Sequence, residues 1–259
     1  MGKYWQFLKM SFMELFEYRM NLVWEILGSA LSISIIYAFW IAVLGSGFTG
    51  SNYTTKSIGL YYLIITLIDY ITHFSFSDVS ESIYNGFLQI EVNRPYNFQL
   101  KTLLISAGRR LTKSLIIVLF VITVVKFNNF YIPLQNISIF VLMIFLGSII
   151  RFYIGMTIGT TAFWLNRVHG LHYLFWVIGD LFSGKFIPVD ILPKMLLNIA
   201  DWLPFPYLFF YPSQLLLHQN INNNVLQKIL ILLMWISIFW AVYKVTWKQG
   251  LKNIESRGG

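Results

Sequence analysis

The chain has 259 residues, of which 57% are hydrophobic and only 12% are charged. A water-soluble domain of this length carries about a quarter charged residues, so the composition excludes a surface that faces water on all sides. The formal charge of +8 is expected to reflect basic residues at the cytoplasmic face of a membrane rather than binding to nucleic acid. The chain contains no cysteine, which excludes disulfides and thiolate metal sites.

The N-terminal stretch mixes apolar and charged side chains, with Trp5 and Phe7 among Lys3 and Lys9. A cleavable signal peptide would instead place a short apolar run and a small-residue cleavage site here. This mixture is typical of a helix that lies along the membrane surface. We therefore predict that residues 1–21 form an interfacial helix.

Six later stretches favour membrane-spanning helices, each of which needs about 20 mostly apolar residues. The predicted spans are residues 22–44, 58–76, 102–125, 133–164, 171–182 and 225–247, the fifth being short. Most of the 19 Lys and Arg residues then fall on the side of the N-terminus, which predicts that both termini are cytoplasmic. The predicted fold is an all-α membrane protein with one transmembrane domain over residues 1–259.

Residues 184–224, after the fifth span, stay apolar although they contain five prolines. A spanning helix tolerates so many prolines only when protein surrounds it, and a soluble loop would be more polar. We expect an external re-entrant segment whose short helices dip into the outer leaflet. The alternative is an ordinary amphipathic outer loop.

Four ionisable residues fall within the predicted spans: Glu25, Asp69, Arg151 and Asp180. Such residues usually face the interior of a helix bundle and pair with one another. We favour a structural ion pair between Asp69 and Arg151, with a substrate or proton site as the alternative. In the fourth span, Gly155 and Gly159 have the spacing that permits close helix packing.

The loop at residues 77–101 is the most polar internal stretch of the chain. Its apolar and acidic residues allow a short amphipathic helix, with Ser77 or Asp78 as the N-cap. Arg94-Pro95 would end that helix, because the residue before a proline is pushed out of the helical region. The loop helix is either simply solvated or a docking element for a cytoplasmic motor.

Four features resemble a known family: an N-terminal interfacial helix, a glycine-to-Arg-Pro inner loop at residues 86–97, an apolar proline-bearing turn at 183–193, and the Leu-Pro-Phe and Tyr-Pro pairs at 203–205 and 211–212. In this order they are similar to the ABC-2 type permease family, in its branch of small bacterial six-span permeases. The chain departs from the pattern at Val92-Asn93, where Leu-Leu is common before Arg-Pro.

The resemblance implies a permease in the bacterial cytoplasmic membrane that pairs with a second permease, identical or homologous, and with two ABC ATPase subunits. ATP and Mg²⁺ would be bound by those ATPases, and this chain would hold no cofactor. The loop at 77–101 would be the coupling helix. The residues expected to dock on the ATPase are Asp78, Glu81, Ile83, Tyr84, Phe87, Leu88, Glu91, Arg94 and Pro95.

The predicted function is ATP-driven export of a hydrophobic or amphipathic substrate, with the substrate at the permease–permease interface and lipids around the bundle. The chain itself is not expected to be an enzyme: residues 179–186 resemble a phosphate-binding loop but carry Phe186 where Ser or Thr must reach magnesium. Because Asp69 and Arg151 lie within predicted spans, an ion-coupled secondary transporter remains an alternative function. A membrane assembly protein also remains open, whereas no catalytic cluster supports an enzyme.

Overall fold

The computed structural model describes residues 2–17, 19–47, 53–127, 134–217 and 224–257, and these are helical with no strand among them. Two 3-10 turns, Thr161–Phe163 and Val189–Ile191, accompany the α-helices. The α-helices are α1 (Gly2–Glu17), α2 (Arg19–Gly45), α3 (Thr55–Thr72), α4 (Ser77–Tyr84), α5 (Phe87–Val92), α6 (Phe98–Phe127), α7 (Leu134–Thr160), α8 (His169–Ser183), α9 (Lys194–Ala200), α10 (Phe205–Leu208), α11 (Phe210–Leu217) and α12 (Val225–Arg257). The all-α prediction is confirmed for the described residues.

Helices lie at all six predicted spans, although Pro133, the predicted start of the fourth, is outside the described residues. Four stretches are long and apolar enough to cross a membrane: Met20–Gly45, Thr55–Tyr84, Asn136–Phe163 and Val225–Lys252. The helix α6 has the length, but its first half carries three cations and a fourth, Lys113, follows directly. The helix α8 has only 15 residues. Spans at α6 and α8 therefore stay predictions.

The predicted helix at residues 1–21 corresponds to α1 and the start of α2, with Met1 and Tyr18 outside the described residues. The helix α1 packs along α6. Gly108 of α6 allows this close approach, because a Cβ atom there would lie 2.7 Å from Cβ of Ser11. The N-terminal helix is therefore fixed to the bundle by direct helix packing.

The helix α7 lies at the centre of the fold and packs against α3, α4, α10, α11 and α12. Its residues Ile150, Phe152, Ile154 and Met156 are almost completely buried, although they point in different directions around the helix. A helix that is hydrophobic all round is expected to be buried on all sides or to face lipid. In α7 the other helices of the same chain cover about half of the apolar stretch, while Val141 and Phe145 remain exposed.

Gly155 and Gly159 pack against the junction of α3 and α4, within the same chain. A Cβ atom at Gly155 would overlap the ring of Phe74, and one at Gly159 would lie 2.7 Å from Cβ of Val79. The predicted close packing thus brings α7 against the start of α4. Any larger residue at either glycine would push that junction away.

The prediction of one helix across the inner loop is wrong, because Gly86 divides it into α4 and α5. Gly86 has φ +71°, a left-handed conformation that glycine adopts without a Cβ clash. The N-cap prediction is also wrong: Phe76 precedes α4 and makes no side-chain cap. The Ser75 hydroxyl instead accepts the amide hydrogen of Ser77.

Beyond α8, the chain first runs along α3. Gly184 has φ +91° and turns the backbone, and its carbonyl accepts a hydrogen bond of 2.7 Å from the hydroxyl of Tyr61. Further on, the hydroxyl of Tyr53 donates to a carboxylate oxygen of Asp190 at 3.2 Å. Because Tyr53 lies two residues before α3, residues 184–190 run back towards the beginning of that helix.

The chain then re-enters the bundle through α10 and α11. Phe209, between these helices, lies 5.3 Å from the guanidinium of Arg151 at the middle of α7. The carbonyl of Leu215 accepts a 3.0 Å hydrogen bond from Asn136 at the start of α7. Both contacts lie between Asn136 and Arg151, so residues 209–215 return along the first two thirds of α7. Residues 218–223 of the predicted re-entrant segment lie outside the described residues.

Candidate functional site

The two short helices of the inner loop expose a group of apolar side chains. Phe87 is 58% exposed and Ile90, one turn later on α5, is 56% exposed. Tyr84 and Val92 are also exposed. We call these four residues the α4–α5 surface. Phe87 and Ile90 lie one turn apart on the same face of α5, and exposed apolar side chains grouped in this way mark candidate sites of interaction with protein or membrane.

Leu88, one of the predicted docking residues, points in the opposite direction and is fully buried. It belongs to a core cluster with Phe98, Phe152 and Tyr243. Ile83 is half-buried and packs against the same cluster. Leu88 therefore fixes α5 to α7 and α12, and the neighbouring exposed residues remain available to a partner.

Glu91 also holds the loop in place. Its carboxylate pairs with the ammonium of Lys101 at 2.6 Å and accepts a hydrogen bond of 2.6 Å from the hydroxyl of Tyr96. Burial by itself would raise the pKa of Glu91, but these two hydrogen bonds outweigh it and hold the pKa below its usual value. The ring of Tyr96 lies 5.4 Å from that of Phe7, so the same contact connects the loop with α1.

Asp78 lies at the start of α4 and is part of a bridge between three helices. Arg109 of α6 contacts the Asp78 carboxylate at 2.8 Å and the Glu14 carboxylate of α1 at 2.8 Å. One guanidinium thus joins α1, α4 and α6. All three side chains are about one third exposed, so solvent or lipid headgroups weaken each pair.

The remaining predicted docking residues, Glu81, Arg94 and Pro95, are exposed. Tyr84 is exposed as well, but its hydroxyl donates to the carbonyl of Leu165 at 3.0 Å. Five of the nine predicted docking residues are therefore exposed: Glu81, Tyr84, Phe87, Arg94 and Pro95. Leu88 is buried, and Asp78 and Glu91 are in internal ion pairs.

Asp69 and Arg151, the other predicted site residues, are brought together in the bundle. Their closest carboxylate and guanidinium atoms are 2.6 Å apart. Lys185 contacts the second oxygen of Asp69 at 3.1 Å and lies 3.5 Å from Asp180. We call Asp69, Arg151, Asp180 and Lys185 the charged cluster. It joins α3 and α7 to the turn after α8.

Arg151 is the most buried member of the charged cluster, with 4% of its surface exposed. Its guanidinium stacks over Trp176 at 4.7 Å and Phe209 at 5.3 Å, while Thr72 accepts a hydrogen bond of 2.9 Å. The sequence did not indicate Lys185 as a site residue, because Lys185 follows a predicted span and has the character of a loop residue. The available signal was Gly184 directly before it, since a glycine can turn the chain back along α3.

Several long apolar helices and this buried cluster define a multi-pass membrane protein. A family model for the ABC-2 family transporter protein matches residues 28–258, and the chain belongs to that family. It is accordingly the non-catalytic permease subunit of an ABC transporter, which associates with ABC ATPase subunits. A comparison with curated proteins gives no match.

The matched residues begin within α2 and include the α4–α5 surface, the charged cluster and the proline-bearing segment. Three of the four features that carried the sequence resemblance therefore lie inside the match. The helix α1 precedes it.

Proposed function

We propose that this chain is one of two permeases, identical or homologous, of an exporter in the bacterial cytoplasmic membrane. Two separate ABC ATPase subunits bind ATP and Mg²⁺ and drive the movement of a hydrophobic or amphipathic substrate. The observation that supports this most directly is the α4–α5 surface, which exposes apolar side chains while Leu88 fixes it to the core.

The α4–α5 surface has the composition of a small protein interface. Phe87 and Ile90 provide an apolar centre, and the exposed charges of Glu81 and Arg94 lie nearby. Binding energy in such interfaces is concentrated in a few central apolar or aromatic side chains, whereas solvated charges contribute little. We assign Phe87 as the main anchor for the ATPase.

A route from this surface to the centre of the bundle is provided by direct packing. Val79 of α4 lies against Gly159 of α7, and Leu88 of α5 belongs to the same buried cluster as Phe152 and Met156 of α7. Because packed interiors transmit displacement with little compression, movement of α4 and α5 would displace α7. Closure of the ATPases would thereby change the arrangement of the spanning helices.

In this proposal the α4–α5 surface faces the cytoplasm, both termini are cytoplasmic and residues 184–224 lie at the outer side. The helix α6 is about 45 Å long, and the cations in its first half can extend towards the inner interface. The short helix α8 and the returning helices α10 and α11 together occupy the fifth position. The chain then has six spans and an outer re-entrant segment.

The test is to change Phe87 to alanine and to co-purify the ATPase with the permease. We expect Phe87→Ala to cost about 1 to 3 kcal/mol of binding and to reduce transport-linked ATP hydrolysis in reconstituted vesicles. Phe127→Ala is the matched control, since Phe127 is 85% exposed at the opposite end of α6. Glu81→Gln should have a small effect.

Leu88→Ala separates docking from folding. Because Leu88 is buried, this variant should lose thermal stability as well as ATPase binding, whereas Phe87→Ala should lose binding alone. A well-folded Phe87→Ala permease that binds and stimulates the ATPase like the wild type would contradict the proposal.

A further inference from the structure

A partly open cavity of about 550 Å³ lies between α2, α3 and α6, next to the charged cluster. Its lining changes in character along α2. Glu25 lies at one end, and Ile33 and Ile36 follow about two and three turns later. On α3, which runs in the opposite direction, Ile65 faces the apolar end. The cavity is therefore amphipathic, with a charged end and an apolar end.

Each carboxylate that lines the cavity has a cation within 4 Å. Glu25 pairs with Lys113 at 2.6 Å, and Asp78 pairs with Arg109 at 2.8 Å. In the charged cluster, Asp69 pairs with Arg151 and Lys185, and Asp180 pairs with Lys185. Each carboxylate of the lining therefore has at least one cation beside it among the described residues, although Arg109 is shared between Asp78 and Glu14.

Arg110 of α6 differs from the other cations of the lining. In the described part of the chain, its hydrogen-bond acceptors are backbone carbonyls: that of Ser106 at 3.2 Å and that of Thr72 at 3.5 Å. The second distance is at the limit of a hydrogen bond. No described carboxylate lies within ion-pair distance of Arg110, although an arginine inside a membrane bundle normally pairs with one.

We propose that this cavity binds an anionic amphiphile, with a phosphate or carboxylate headgroup at Arg110 and the apolar chain along Ile33, Ile36 and Ile65. A planar guanidinium presents paired donors that match the oxygens of either headgroup. The inference deepens the proposed function and rests on it, because it assigns the substrate class of the exporter. It also moves the substrate from the permease–permease interface to a cavity within one chain.

An amphiphile is favoured over a free anion by the shape and position of the cavity. Its apolar end would leave a small hydrated anion without contacts. The helix α2 forms one wall, and its side chains Leu27, Leu31 and Ile35 are exposed where lipid would surround the bundle. A ligand whose chain lies in the membrane could therefore enter beside α2.

The test uses the full permease–ATPase complex and two probes, phosphatidylglycerol and phosphatidylcholine, that carry the same fluorescent acyl chain. Fluorescence anisotropy gives the dissociation constant of each. We expect the wild type to bind the anionic lipid about tenfold more tightly, as for one charge-assisted contact. Arg110→Gln should make the two constants equal, and Arg110→Lys should retain most of the preference.

Lys126→Gln is the matched control, because Lys126 is an exposed cation at the far end of the same helix. It should preserve the preference for phosphatidylglycerol. Millimolar inorganic phosphate should not displace the lipid probe, and displacement at micromolar phosphate would show a free-anion site and overturn the proposal. Equal binding of both lipids by the wild type would also overturn the proposal. This measurement needs no variant, so the test does not depend on whether Arg110→Gln folds.

The two proposals fail separately. A complex that couples ATP hydrolysis to the Phe87 anchor but has no lipid preference would contradict the cavity assignment alone. A chain that prefers phosphatidylglycerol through Arg110 but retains no ATPase would contradict the proposed function alone.

Discussion

Arg151 is the residue whose surroundings constrain the bundle most strongly. It is buried on α7, and its charge is compensated by Asp69 on α3, with Lys185 sharing the same carboxylate. Removal of one partner from a buried ion pair leaves a charge without compensation in an apolar environment. The loss of stability is largest when the residue left without a partner is the more buried one, which here is Arg151.

We therefore expect Asp69→Asn to destabilise the permease by up to about 3 kcal/mol. Arg151→Gln should cost less than this, since Lys185 still compensates Asp69. The double variant should be more stable than the sum of the two losses predicts, because the residues interact directly. Thermal unfolding followed by size-exclusion fluorescence measures all three. Strictly additive losses would show that the two residues are independent.

At the scale of helices, the contact between α7 and the start of α4 links the centre of the bundle to the α4–α5 surface. Gly159 makes this contact possible, because even a Cβ atom would lie 2.7 Å from Val79 and 3.1 Å from the carbonyl oxygen of Phe76. Overpacking of this kind usually costs about 1 to 3 kcal/mol.

Gly159→Ala is expected to displace α4 and to reduce both thermal stability and stimulation of the ATPase. The matched control is Gly170→Ala in the first turn of α8, where a Cβ atom would meet no other atom within 4 Å. Hydrogen exchange over residues 77–92 measures the displacement directly. Unchanged exchange in Gly159→Ala, together with normal ATPase stimulation, would mean that the contact does not transmit movement.

At the scale of the whole molecule, the proposal fixes which loops face the cytoplasm. The chain has no cysteine, so single cysteines can be introduced without background labelling. Lys56→Cys and Lys194→Cys should react with a membrane-impermeant maleimide in intact cells, whereas Asn97→Cys should react only after permeabilisation. All three positions are exposed. Labelling of Asn97→Cys in intact cells would reverse the orientation of the entire chain.

The positions of the helices could be predicted from the sequence, since apolar runs bounded by Gly, Pro and polar clusters mark the segments that avoid water. The candidate pair Asp69 and Arg151 could be named for a similar reason: charges are rare in such runs and tend to meet. The break at Gly86 could not be predicted, because its φ is a property of the folded backbone. The inward direction of Leu88 depends likewise on the helices packed beneath it.

The sequence by itself determined that the chain is a helical membrane protein, which family it resembles and where its polar inner loop lies. Only the tertiary structure decided which apolar surfaces are covered. The helices α2 and α7 are both hydrophobic all round, yet the apolar window of α2 is 6% buried and that of α7 is 50% buried. Lipid and protein interior are equally apolar, so hydropathy separates both from water but cannot separate one from the other. For the same reason, the return of residues 205–217 into the bundle and the position of Lys185 beside Asp69 became evident only from the packed helices.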